Sequence, residues 1–210
     1  MGLFLSDFLS EYATSVASTT IKLWLLNSLF LGLAQSSKYL SLYLTLASIS
    51  DLVAGIFAGA FAERFGIIKS MLSACFVRAV ASLGTIGVAY LTGNQDMSPR
   101  LAFVLVTVML VITSASNVVY FSAAASLLNR ITEAEKLVHI LSLLRFASLI
   151  GSMLGPAVAG FAAGKNQYLL ILFTGFFALL FAGLAVALVA QANRKELESR
   201  RYNHQKLRGR

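Results

Sequence analysis

Four charged residues stand inside long apolar stretches of the chain: Lys22, Asp51, Arg78 and Arg145. In hydrocarbon each costs about 2.5 kcal/mol or more on insertion scales, so such residues are usually paired or functional. A carboxylate facing guanidinium and ammonium groups can contact an ionic solute, gate a path or couple one movement to another. It can equally be a structural ion pair, and long arginine side chains can snorkel to the interface. Asn117 sits in a similar stretch and can join the cluster or hydrogen-bond between helices.

A second concentration of charge is Glu63-Arg64-x-Gly66-x-x-Lys69, four residues beyond Gly59. It closes the apolar run that begins at Asp51. A third pattern is Gly151-x-x-x-Gly155-Pro156-x-x-x-Gly160. Glycines four apart let helices approach closely, as Gly55-x-x-x-Gly59 also can. Pro156 removes one backbone hydrogen bond and can kink its helix. No metal-ligand spacing surrounds His139 or His204, no phosphate-binding glycine loop is present, and no nucleophile–base pair stands out. The residues therefore predict neither an enzyme nor a bound cofactor. The single Cys75 permits no internal disulfide.

The elements that carry these residues follow from composition. Of 210 residues, 58% are hydrophobic and only 12% charged, with a mean hydropathy of +0.78. One water-soluble core cannot hide so much apolar surface, and the bilayer is the natural solvent. Six segments have about the 20 residues that a spanning helix needs. They run over about 9–31, 37–61, 69–91, 101–125, 137–161 and 168–190. Their Leu, Ala and Gly content and length exclude barrel strands. Short connections make neighbours antiparallel, so the expected fold is an all-α bundle of six transmembrane helices over 1–190. A basic tail over 191–210 follows.

Lysine and arginine placement sets the orientation. With both termini cytoplasmic, Arg64, Lys69, Arg130, Lys136 and the seven basic residues of the tail fall inside, against Lys38, Arg100 and Lys165 outside. That bias predicts a multi-pass protein of a bacterial cytoplasmic membrane, its tail near anionic headgroups. The net charge of +8 comes without a base-reading motif, which argues against nucleic acid. Tyr39, Tyr43, Tyr90 and Tyr168 fall near the outer ends, where an aromatic belt would sit. Asp51, Arg78 and Arg145 each lie about nine or ten residues from a cytoplasmic end, a common depth of roughly 12–15 Å. Lys22 lies deeper and Glu11 nearer the cytoplasm. The shared depth predicts that Asp51 pairs with at least one of Arg78, Arg145 or Lys22.

Gly59-x-x-x-Glu63-Arg64-x-Gly66-x-x-Lys69 resembles the loop signature between helices 2 and 3 of the major facilitator superfamily. Gly151-x-x-x-Gly155-Pro156-x-x-x-Gly160 resembles the glycine-proline signature of helix 5, especially in drug-efflux branches related to macrolide exporters. "NRITEAEKL" is similar to the loop before it, where Thr132-x-x-Glu135 reads independently as a capping box. Thr113 stands near the place of a helix 4 arginine usual in drug–proton antiporters, which puts that proton route in doubt.

The resemblance implies the amino-terminal half of a transporter, exporting small molecules by alternating access and paired with a second six-helix half. That half is a second copy or a separate chain; a truncated transporter or a non-transporting scaffold are the other readings. For a homodimer, the resemblance implies that Glu63 docks near Thr132 to Lys136 of the partner. The Gly55/Gly59 face would then seat on the partner's Gly151/Gly155 face.

Overall fold

The computed structural model describes residues 2–29, 33–132, 134–163 and 167–208, and the side chains of these except at 28, 33–35, 130, 131, 134, 135, 162, 163 and 192–208. The fold is built of helices α1 (Gly2–Trp24), α2 (Leu33–Phe65), α3 (Ile67–Gly93), α4 (Pro99–Ile131), α5 (Ala134–Ala163) and α6 (Tyr168–Arg208). Leu25–Leu29 extends α1 by a π-helical turn. The helices overrun most of the apolar segments, and α6 continues helically through the basic tail to Arg208. Helix α4 starts conventionally: the Ser98 hydroxyl accepts from the Leu101 amide and Pro99 follows at the first position, where it gives up no intrahelical bond.

Among the described residues, five helices, α2 to α6, are long and apolar enough to cross a membrane. Helix α1 has the length without the hydropathy. Its buried residues include Ser6, Asp7, Ser10 and Thr20. Packing explains the difference, because α1 lies along both α5 and α6. Its polar groups therefore face protein and find partners there. The Ser6 hydroxyl donates to the Ala182 carbonyl at 3.1 Å and meets the Tyr120 hydroxyl at 2.6 Å, tying α1 to α6 and α4.

Helix α3 packs on α4 and α6, whereas α2 rests mainly on α4 and α5 mainly on α1. Helices α2 and α5 are consequently the least covered. Leu52, Ile56 and Phe57 of α2 and Val138 and Met153 of α5 are at least 65% exposed. The main core runs from Ile21, Trp24 and Leu25 through Tyr43 and Phe103 to Leu172.

Two tyrosines placed in an outer belt belong to this core instead. Tyr43 is 1% exposed and Tyr168 8%. Being amphipathic, tyrosine suits an interior with polar groups as well as it suits an interface, so proximity to a helix end does not settle its place. Tyr90 is exposed, and Tyr39 packs edge-on against Phe103.

Candidate functional site

A cavity of about 200 Å³ opens among α1, α2, α3, α4 and α6. Asp51 and Arg78, the acid and one base that the sequence singled out, both line it. Thr113 and Asn117 of α4 line it too, with Ser18 of α1 and Ser82 of α3. Asp51 and Arg78 thus share one chamber.

The two charges are nonetheless held separately. The Ser114 hydroxyl donates to Asp51 Oδ1, and Asp51 is otherwise exposed. Arg78 has no exposed surface. Its Nη1 donates to Ser10 Oγ at 2.6 Å, and its Nη2 donates to the Ser10 carbonyl at 3.0 Å and to Thr14 Oγ1. The expected ion pair of Asp51 with Arg78, Arg145 or Lys22 does not occur among the described contacts. The reason is geometric. Helix α1 offers Arg78 two hydroxyls, a carbonyl and the nearby charges of Glu11 and Asp7, so both terminal nitrogens are engaged on that side and Nε alone lacks a partner.

Arg145 lies elsewhere, in a smaller cavity of about 60 Å³ that it shares with Asp7. Asp7 is 4% exposed and accepts from the Ser148 hydroxyl at 2.7 Å. Lys22 does not line the polar cavity. Sequence reasoning missed Asp7 because the first apolar segment is expected to begin at residue 9, and missed Ser10 and Thr14 because hydroxyls are common in apolar runs. The signal that finds them is the recurrence of Asp7, Ser10, Thr14 and Ser18 every three or four residues along one helix.

The cavity wall is rich in unmet hydrogen-bonding capacity. Among the described residues, five buried side-chain polar atoms lack a partner: Tyr43 Oη, Ser70 Oγ, Arg78 Nε, Ser82 Oγ and Asn117 Oδ1. All but Ser70 belong to side chains that line this cavity. Such atoms cost roughly 1–3 kcal/mol each when left unsatisfied, and four of the five gather at this one chamber.

The residues of the loop and helix 5 signatures are not among those lining this cavity. Gly66 is the single residue between α2 and α3 and adopts φ 90°, a conformation glycine allows without penalty. Its amide donates to the Ala62 carbonyl at 3.1 Å. Glu63, Arg64 and Lys69 are exposed around this turn. The Thr132–Glu135 capping box falls partly on a side chain outside the described residues. His139 is exposed, and no group of three or more His, Cys, Asp or Glu forms among the described residues.

The helix 5 glycines have a definite job. A Cβ on Gly151 would stand 2.7 Å from the Phe8 carbonyl oxygen, and one on Gly155 would stand 2.6 Å from Ser15 Cβ. These two positions seat α5 on α1 of the same chain. They are therefore not free to receive a partner's Gly55/Gly59 face, which corrects that expectation. The close seat also repairs α5. Pro156 has no amide hydrogen to give the Ser152 carbonyl, and the Ser15 hydroxyl donates to that carbonyl at 2.8 Å. Helix α5 runs unbroken past Pro156. Gly55, Gly59 and Gly160 have no atom within 4 Å of an added Cβ.

Comparison with known proteins agrees with this architecture. The sequence model of the Major Facilitator Superfamily matches residues 3–208. The chain belongs to that superfamily and is an integral, multi-pass membrane protein. No curated protein matches significantly. Among solved structures, a bacterial metal transporter is similar with a TM-score of 0.69 at 12% identity, over 88% of this chain and 47% of its own. At that identity the likeness is one of fold. The chain spans about half the length of that transporter.

Proposed function

We propose that this six-helix bundle forms one wall of a small-molecule efflux path and works by alternating access against a second six-helix bundle. The observation that carries the reading is the polar cavity. A chamber holding an exposed carboxylate and several unpartnered polar groups, inside a bundle of the Major Facilitator Superfamily, is suited to a transported solute. The exposed apolar flanks of α2 and α5 support a second bundle. The outward direction rests on the likeness of the Gly151–Gly160 stretch to macrolide-type exporters. A cytoplasmic location for both termini rests on the lysine and arginine distribution.

The second bundle is another copy of this chain, a separate chain or a continuation of the same polypeptide. Glu63 is exposed and available to dock at the amino end of a helix in that bundle, where a carboxylate is favoured by about 0.3–1 kcal/mol. The test is accumulation of fluorescent drugs in cells making the chain together with its second bundle. Reduced accumulation that reverts in Asp51→Asn supports transport through this cavity. Accumulation equal to that of cells lacking the protein, across a broad drug panel, contradicts it.

A further inference from the structure

We infer that the cavity binds a small organic cation bearing N–H donors, with Asp51 as its counter-ion. The inference rests on the transport reading and names the class of solute. Among the described residues, two charged side chains line the chamber, Asp51 and Arg78. Arg78 is fully buried, and both its terminal nitrogens are committed to Ser10 and Thr14. Asp51 is exposed, and one of its oxygens is engaged by Ser114. The accessible charge of the chamber is therefore negative.

The unpartnered atoms refine the choice. Of the four unpartnered atoms on side chains at the chamber, Asn117 Oδ1 can only accept, the Tyr43 and Ser82 hydroxyls can accept or donate, and Arg78 Nε, which can only donate, belongs to the guanidinium anchored on α1. Asp51 and Asn117 both ask for donors. A primary ammonium or a guanidinium supplies several N–H groups from one charged centre, whereas a quaternary ammonium supplies none. Tyr43, Ser82 and Asn117 have no hydrogen-bond partner at these atoms, whereas three hydrogen bonds hold Arg78 on α1. A bare divalent metal ion is poorly served, because Asp51 is the one carboxylate on the wall and no larger cluster of metal ligands forms among the described residues.

The experiment uses the full chain in lipid nanodiscs and ligands that share one ring. Benzylammonium, benzyltrimethylammonium, benzyl alcohol and benzoate are compared by saturation-transfer NMR, and Mn²⁺ is added as a competitor. Benzylammonium is expected to bind, the trimethyl compound to bind several-fold more weakly, and the neutral and anionic compounds to give no signal. Asp51→Asn should weaken benzylammonium about tenfold, the loss expected from one charge-assisted hydrogen bond, and Asp51→Glu should recover part of it. An unchanged elution profile and thermal midpoint exclude misfolding of either variant. Equal binding of benzoate or benzyl alcohol, binding indifferent to Asp51→Asn, displacement by micromolar Mn²⁺, or no binding of any compound overturns the inference. Asp51-dependent export without amine binding would sink the cation site and leave transport standing. Amine binding without export would do the reverse.

Discussion

At the scale of single residues, the bundle holds its charged side chains with hydroxyls more than with opposite charges. Arg78 is held by Ser10 and Thr14, Asp51 by Ser114 and Asp7 by Ser148. The four intramembrane charges were visible in the sequence because charge in an apolar run is rare. Their partners were not, because serine and threonine are common in such runs and reveal nothing until the helices are placed. Arg78 gives a stability prediction. Arg78→Met should lower the unfolding free energy by about 1.5–3 kcal/mol, the range for hydrogen bonds to a charged group. Arg78→Lys should recover only part, since a single ammonium cannot copy the two-pronged contact of Nη1 and Nη2 with Ser10. Thermal unfolding in mild detergent measures both, and a lysine variant as stable as the parent would show that charge alone matters.

At the scale of elements, the apolar helices α2 to α6 were legible from hydropathy, and so was the turn at Gly66. The extent of α1 was not, because Asp7 and Glu11 interrupt the apolar pattern at its amino-terminal end. Only its position along α5 and α6 makes those residues interior. The two glycine pairs looked alike in sequence and differ in place. Gly151 and Gly155 meet α1, while Gly55 and Gly59 meet nothing. Gly155→Ala should therefore cost about 1–3 kcal/mol by overpacking, and Gly55→Ala should be neutral in the isolated bundle. Ser15→Ala should cost about 0.6–1.7 kcal/mol by orphaning the Ser152 carbonyl beside Pro156. Melting curves of the three variants check the ranking, and a destabilising Gly55→Ala in the isolated bundle would place a neighbour where none is described.

At the scale of the whole molecule, the bundle is asymmetric in cover. Helix α3 and the core of α6 are well packed, and α2 and α5 flank it with exposed apolar surface. The lysine and arginine distribution predicts Ser98 on the outer side and Ser199 inside. In a Cys75→Ser background, Ser98→Cys should react with an impermeant maleimide in intact cells and Ser199→Cys only after permeabilisation. Labelling of Ser199→Cys in intact cells would invert the bundle.

The central claim is that the chamber lined by Asp51, Thr113 and Asn117 is an aqueous path through the membrane and not a lipid-filled or closed fold defect. The most direct measurement is reaction of Thr113→Cys, in the same Cys75→Ser background, with a charged methanethiosulfonate reagent in membranes. Rapid modification, slowed by benzylammonium, is the predicted result. Failure to react, while Ser98→Cys reacts on the same membranes, would contradict the account.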